Sequence, residues 1–161
     1  KVRRIAGEIK IDYGKNKPEP SKNSVLVHNN QVLVANWTGL WPYGKKDNPG
    51  LAKYFWDSER NRFEKEWINT EIALPNSMQV LSTQTGLVYA VGRRKLPGKK
   101  RLWTFEAIDW RTGISSFYLP LGTEKMNNAT GSGIQIGWNG DIVFMTPKAA
   151  FRLYQTSNPT N

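Results

Sequence analysis

The chain reads as an all-β protein of β-propeller type, carrying about two and a half four-stranded blades. Three observations lead to that fold class. Short β-branched runs occur in pairs across turns of Asn, Gly and polar residues, which is hairpin chemistry. The hairpins recur: Val32, Val88 and Val143, each in the second arm of one, lie 56 and 55 residues apart. No segment carries a persuasive helical period. The mildest candidate, Glu59 to Trp67, with Trp56, Phe63 and Trp67 spaced seven and four apart, falls where the repeat requires a strand pair.

Taken in order, Glu8 to Asp12 alternates as a short strand, and the Lys15–Lys22 stretch with Pro18 and Pro20 reads as a linker. Residues 1–23 are therefore expected to be a strand and linker from a preceding blade. The first blade, about 24–75, opens with Val25–Val27, the turn His28–Gln31 and Val32–Ala35. It continues with Ala52–Asp57, the turn Ser58–Asn61 and Arg62–Trp67. The second blade, about 79–122, repeats the plan with Gln79–Leu81, Thr83–Gly86 and Leu87–Val91. Its second hairpin is Leu102–Asp109, Trp110–Gly113 and Ile114–Leu119. Asn61 and Gly113 each stand four residues after an Asp, Asp57 and Asp109, and both residue types tolerate the left-handed backbone of a tight turn. The Asp is placed to accept hydrogen bonds from amides inside the turn. The third unit, about 133–161, has Ile134–Ile136, the turn Trp138–Asp141 and Ile142–Met145, with Phe151–Tyr154 starting its second hairpin.

At 161 residues the chain is long enough for one domain with a real core, and 39% hydrophobic residues make it globular. The absence of Cys excludes disulfides, thiolate metal sites and thiol catalysis. No apolar run is long enough for a membrane helix, so no membrane span is expected. Lys1 is no initiator, and the expectation is that the numbering begins after a start or a cut. An extracytoplasmic or secreted setting is the expected compartment. The net charge of +10 favours anionic partners, although dispersed lysines also serve solubility.

Ala107, Asp109, Thr112 and Gly113 follow the pattern Ala-x-Asp-x-x-Thr-Gly, preceded by the strand Gly86-Leu87-Val88-Tyr89-Ala90. In these residues the chain resembles the quinoprotein-like, or PQQ-like, propeller repeats. The family pattern adds Lys after the Gly and closes on Trp, where this chain has Ile114 and Phe117. The earlier copy, with Asp57, Asn61 and Trp67, is more degenerate. The resemblance implies a blade in which the closing aromatic docks on a neighbouring blade, and it implies no activity. A closed propeller needs about four to eight blades, and fewer leave open sheet edges. The expected partners are thus further blades, from the rest of the protein or from another copy. A sandwich of two sheets is the alternative packing.

Two loops are candidate binding sites. Trp37, Trp41 and Tyr43 lie in a Gly/Pro-rich stretch and offer flat rings for a sugar; the same rings also suit folding back over a blade edge. The run Arg93-Arg94-Lys95-Leu96-Pro97-Gly98-Lys99-Lys100-Arg101 holds six cations in nine residues. It reads as a polyanion site in a loop, or as a solvated hairpin tip whose charges deter edge pairing. The lone His28 is a turn residue, and Glu64 and Glu66 are solvated strand residues rather than an acid–base pair. No catalytic residue, metal site or cofactor is predicted. The expected function is a non-catalytic binding or assembly module for anionic or carbohydrate ligands. Its alternative is a fragment of a propeller oxidoreductase of quinoprotein type, or of a lyase, with catalytic groups outside these residues.

Overall fold

The computed structural model describes residues 3–11, 25–36 and 50–155. Among them the chain forms three antiparallel sheets taken up one after another. The first is a meander of β1 (Leu26–His28), β2 (Gln31–Ala35), β3 (Leu51–Asp57) and β4 (Arg62–Asn69). The second begins with β5 (Ile72–Ala73), then β6 (Val80–Ser82), β7 (Leu87–Lys95), β8 (Arg101–Asp109) and β9 (Ser115–Gly122). Here β5 and β6 share one side of the long β7, β5 on Arg93–Arg94 and β6 on Leu87–Tyr89. Between them Ser77 Oγ accepts the Val91 amide at 2.9 Å, so a side chain fills the gap in the ladder. The third sheet is β10 (Ile134–Ile136), β11 (Ile142–Met145) and β12 (Ala150–Leu153).

Period-two alternation lets the middle sheet pack on both faces. Val88, Ala90 and Ile108 pack with Leu33, Ala35 and Leu51 of the first sheet and with Ile72 and Leu74. The intervening Tyr89, Val91, Phe105 and Ala107 pack with Ile134, Ile142 and Phe144 of the third. Stacked rings carry this second junction: Tyr89 on Phe105 at 5.7 Å, Phe105 on Phe144 at 4.9 Å and Phe144 on Phe151 at 4.8 Å. The outer face of the first sheet, Val34, Ala52 and Tyr54, is met by Ile11 from the N-terminal segment. The sheets therefore form a series of layers, each joined to the next in chain order.

The turn chemistry read from the sequence is present. Asn61 has φ 50° and Gly113 φ 74°. Asp57 Oδ1 accepts the amides of Glu59 and Arg60 at 2.9 and 3.1 Å. Asp109 Oδ1 accepts the Thr112 amide at 2.7 Å and its hydroxyl at 2.9 Å.

Three expectations need correction. Residues 8–11 form no strand, because the segment crosses the first sheet's face without pairing to an edge; Asp12 lies outside the described residues. The first unit does not extend to residue 75, since Ile72–Ala73 pair with β7 of the second sheet. The basic run 93–101 is not one loop: Arg93–Lys95 end β7 and Arg101 begins β8, paired through Lys95 and Arg101.

Candidate functional site

The sheets have two ends. Within each sheet the tight turns of β1–β2, β3–β4, β6–β7, β8–β9 and β10–β11 lie at one end of the strands, and the connections to the next sheet leave from the other. The connection end also carries Asn36 and Gly50, which flank residues 37–49, and the β7–β8 hairpin loop. The Asn36 amide donates to Gly50 O at 2.9 Å and the Gly50 amide to Ile72 O at 3.0 Å. Ile72 pairs with Arg94, so the root of the aromatic loop and the end of β7 are joined through one short strand. Trp37, Trp41 and Tyr43 themselves lie outside the described residues.

The basic run is divided by the strand's alternation. Arg93 is buried and its guanidinium lies over the Trp103 ring at 4.9 Å. Arg94 is inward-facing as well: Nε and Nη2 donate to Glu106 Oε1 and Oε2 at 2.7 and 2.8 Å, and Nη2 also donates to Ser115 Oγ at 2.8 Å. The Tyr118 ring lies 4.2 Å from this guanidinium. Glu106 is fully buried and receives the Thr104 hydroxyl too, so the carboxylate is saturated. The hydrogen bonds to Glu106 raise the Arg94 pKa further above its already high value, against the opposing effect of burial. These two arginines hold the second sheet together. Lys95 and Lys100 are exposed beside a short 3-10 turn at Pro97–Lys99, where the Leu96 amide donates to Lys100 O at 2.8 Å. Arg101 is half-buried at the start of β8.

Around the β8–β9 turn, the first and second sheets are locked by a polar clamp. A bulge between Tyr54 and Lys53 leaves Glu66 without a register partner and sets Trp67 opposite Lys53. The Trp67 ring lies on Gly113, where any added Cβ would overlap it. Its Nε1–H donates to Trp110 O at 3.0 Å. The buried Lys53 Nζ donates to the same carbonyl at 2.7 Å, pairs with Glu66 Oε2 at 3.2 Å and sits 4.6 Å from the Trp110 ring centre. Gln31 closes the circuit, donating to both Glu66 oxygens at 2.8 and 3.0 Å and accepting Trp110 Nε1–H at 2.9 Å. Asn69 Nδ2 adds a bond to Gly113 O at 2.7 Å. Asp57, Asn61, Ala107, Asp109, Thr112, Gly113 and Trp67 occupy turns and sheet junctions. Lys53, Gln31, Asn69 and Trp110 are clamp members that the sequence did not single out, and Glu66, expected as a solvated strand residue, is held in the clamp by Lys53 and Gln31. A Lys at an inward strand position was the available signal.

The second junction differs at the same level. An open cleft of about 880 Å³ lies between the second and third sheets, walled by Tyr89, Phe117, Leu119, Trp138, Leu153 and Tyr154. Trp138 stands fully exposed at the tip of the β10–β11 turn, and Phe117 is 43% exposed. Arg152 at the rim is paired with Asp141, whose pKa the Arg152 hydrogen bond lowers.

Among the described residues no helix is long and apolar enough to cross a membrane. No family model and no solved structure matches the chain. An uncharacterized protein of Archaeoglobus fulgidus is 28% identical over 165 residues, covering 87% of this chain and 30% of that protein. The chain therefore spans about a third of the length of the relative it matches.

Proposed function

We propose that the chain is a segment of a propeller-type protein of quinoprotein-like architecture, acting as a non-catalytic binding and assembly module. The observation that carries this reading is the Trp67–Gly113 clamp: the closing aromatic of one sheet docks on the Gly turn of the next. Serial order supports it, since each meander packs its inner face on the one that follows. At the N-terminal side, Gly7 lies against the Trp56 ring and the β3–β4 turn at Asn61, the position in the first sheet that corresponds to the docking turn of the second. That placement supports residues 3–11 as the last piece of a preceding unit.

Ligands are expected at the connection end, where the root of the aromatic loop and the β7–β8 loop lie close together. Polyanions or acidic carbohydrates suit the exposed Lys95 and Lys100, with aromatic faces available from the 37–43 sequence. Arg93, buried against Trp103, and Arg94, engaged by Glu106, are not available for that role. A heparin titration against salt tests it. Binding should weaken linearly in log salt, and the Lys95→Glu/Lys100→Glu variant should lower the slope by about 2. An unchanged slope in that variant, or no binding at low salt, would remove the polyanion reading.

A further inference from the structure

The two junctions between sheets use their aromatic rings differently. At the first, Trp67 lies on Gly113 and Trp110 donates its Nε1–H to Gln31, so both rings are taken up by the clamp. At the second, Phe117, Trp138 and Tyr154 line the open cleft of about 880 Å³, and all three rings are exposed. The β10–β11 turn does not depend on the Trp138 ring. It is closed by backbone bonds, from the Gly137 amide to Asp141 O at 2.7 Å and from the Gly140 amide to Gly137 O at 3.0 Å, with Gly140 at a φ of 84°. Asn139 Oδ1 completes it by accepting the Asp141 amide at 3.2 Å. Leaving an indole ring in water at this tip forgoes its burial, which fold stability alone does not favour.

The rest of the lining decides what these rings can hold. Gln84 and Thr85 on the β6–β7 turn, with Asn139 and Gln155, set amides and a hydroxyl around them. A side-chain amide both donates and accepts, the pairing that neighbouring hydroxyls require. Among the described residues the lining holds one charged side chain, Arg152, and Asp141 neutralises it: Nε donates to Oδ2 at 2.6 Å. The same guanidinium lies 5.6 Å from the Tyr154 ring centre and braces one face of that ring. A phosphate or sulfate chain thus meets no unpaired cation here. A purely apolar ligand would bury the amides without partners. We infer that the cleft is a binding site for a neutral oligosaccharide, stacked on Trp138 and Tyr154 and bonded through its hydroxyls by Gln84, Asn139 and Gln155. A sugar with equatorial hydroxyls, such as β-linked glucose or N-acetylglucosamine, fits best, because its C–H groups form flat apolar faces while its hydroxyls ring the edge. The volume falls within the range of about 300–1,000 Å³ usual for small-molecule sites, and the open side lets a sugar chain run out. This site is separate from the β7–β8 loop and independent of the polyanion reading.

Calorimetric titration of the protein with cellotetraose and with chitotetraose tests the site. At least one should bind, with an affinity constant within about twofold between roughly 50 and 500 mM salt, since no counterions are released. Trp138→Ala should weaken that binding about tenfold or more, and Trp138→Phe should recover part of the loss, because the smaller ring keeps a stacking face. Both variants replace a fully exposed turn residue, so the fold is kept. Gln84→Ala, at an exposed position of a different turn, should weaken binding about fivefold through one lost hydrogen bond. Failure of both sugars to bind would overturn the inference. Equal affinity in wild type and Trp138→Ala would also overturn it, by moving the sugar to another surface such as residues 37–43. Displacement of the bound tetrasaccharide by heparin would contradict the neutral character of the site.

Discussion

At the scale of single residues, the turn carboxylates show how local sequence becomes local structure. Asp109 is held below the usual value of 3.8 chiefly by the Thr112 amide, then by the Thr112 hydroxyl, with desolvation opposing. A lowered carboxylate pKa contributes stability above the ordinary value, and that stability is lost as pH falls through the lowered one. Wild type should therefore lose stability between pH 5 and pH 2 relative to Asp109→Asn, by under about 1 kcal/mol because the group is partly solvated. Urea denaturation at several pH values checks this, and parallel curves for the two proteins would contradict it. Such turns were legible because Asp, Thr, Asn and Gly act within a few residues of one another. The fate of Arg93 and Arg94 was not legible. Their inward placement depends on β5 and on Glu106 and Trp103 across the β7–β8 register, which a run of like charges conceals.

At the scale of elements, hairpins were readable because β-branched alternation and turn residues coincide in sequence. The clamp was half readable. Trp67 and Gly113 stood out as repeat positions; Lys53 carried one local mark, a cation at an inward strand position, while Gln31 acts across sheets and carried none. Gly113 is constrained twice, by a positive φ of 74° and by the Trp67 ring. Gly113→Ala should cost about 2–3 kcal/mol through backbone strain and overpacking. In the Trp67→Ala background the overlap is relieved, so the same change should cost about 1 kcal/mol. Chemical denaturation of the four proteins checks the difference, and simple additivity would show that the ring and the turn do not bear on each other. The N-terminal strand expected over residues 8–12 failed for a related reason: alternation records a two-sided environment, and the segment meets that environment by lying across a face instead of pairing at an edge.

At the scale of the whole molecule, three layers in series leave the faces of the terminal layers unequal. Among the described residues, the first sheet's outer face meets Ile11, while the third sheet leaves β12 paired only with β11 and a cleft beside it. The repeat spacing matched the succession of antiparallel sheets, because each hairpin pair is one supersecondary element whose length recurs. What spacing does not encode is how the layers close, since closure depends on contacts beyond any one unit. A crystal structure of the full-length polypeptide tests the central claim most directly. The serial-layer reading predicts a ring of similar sheets, each packed on the next in chain order as the first sheet packs on the second. A two-layer sandwich of these sheets would contradict it.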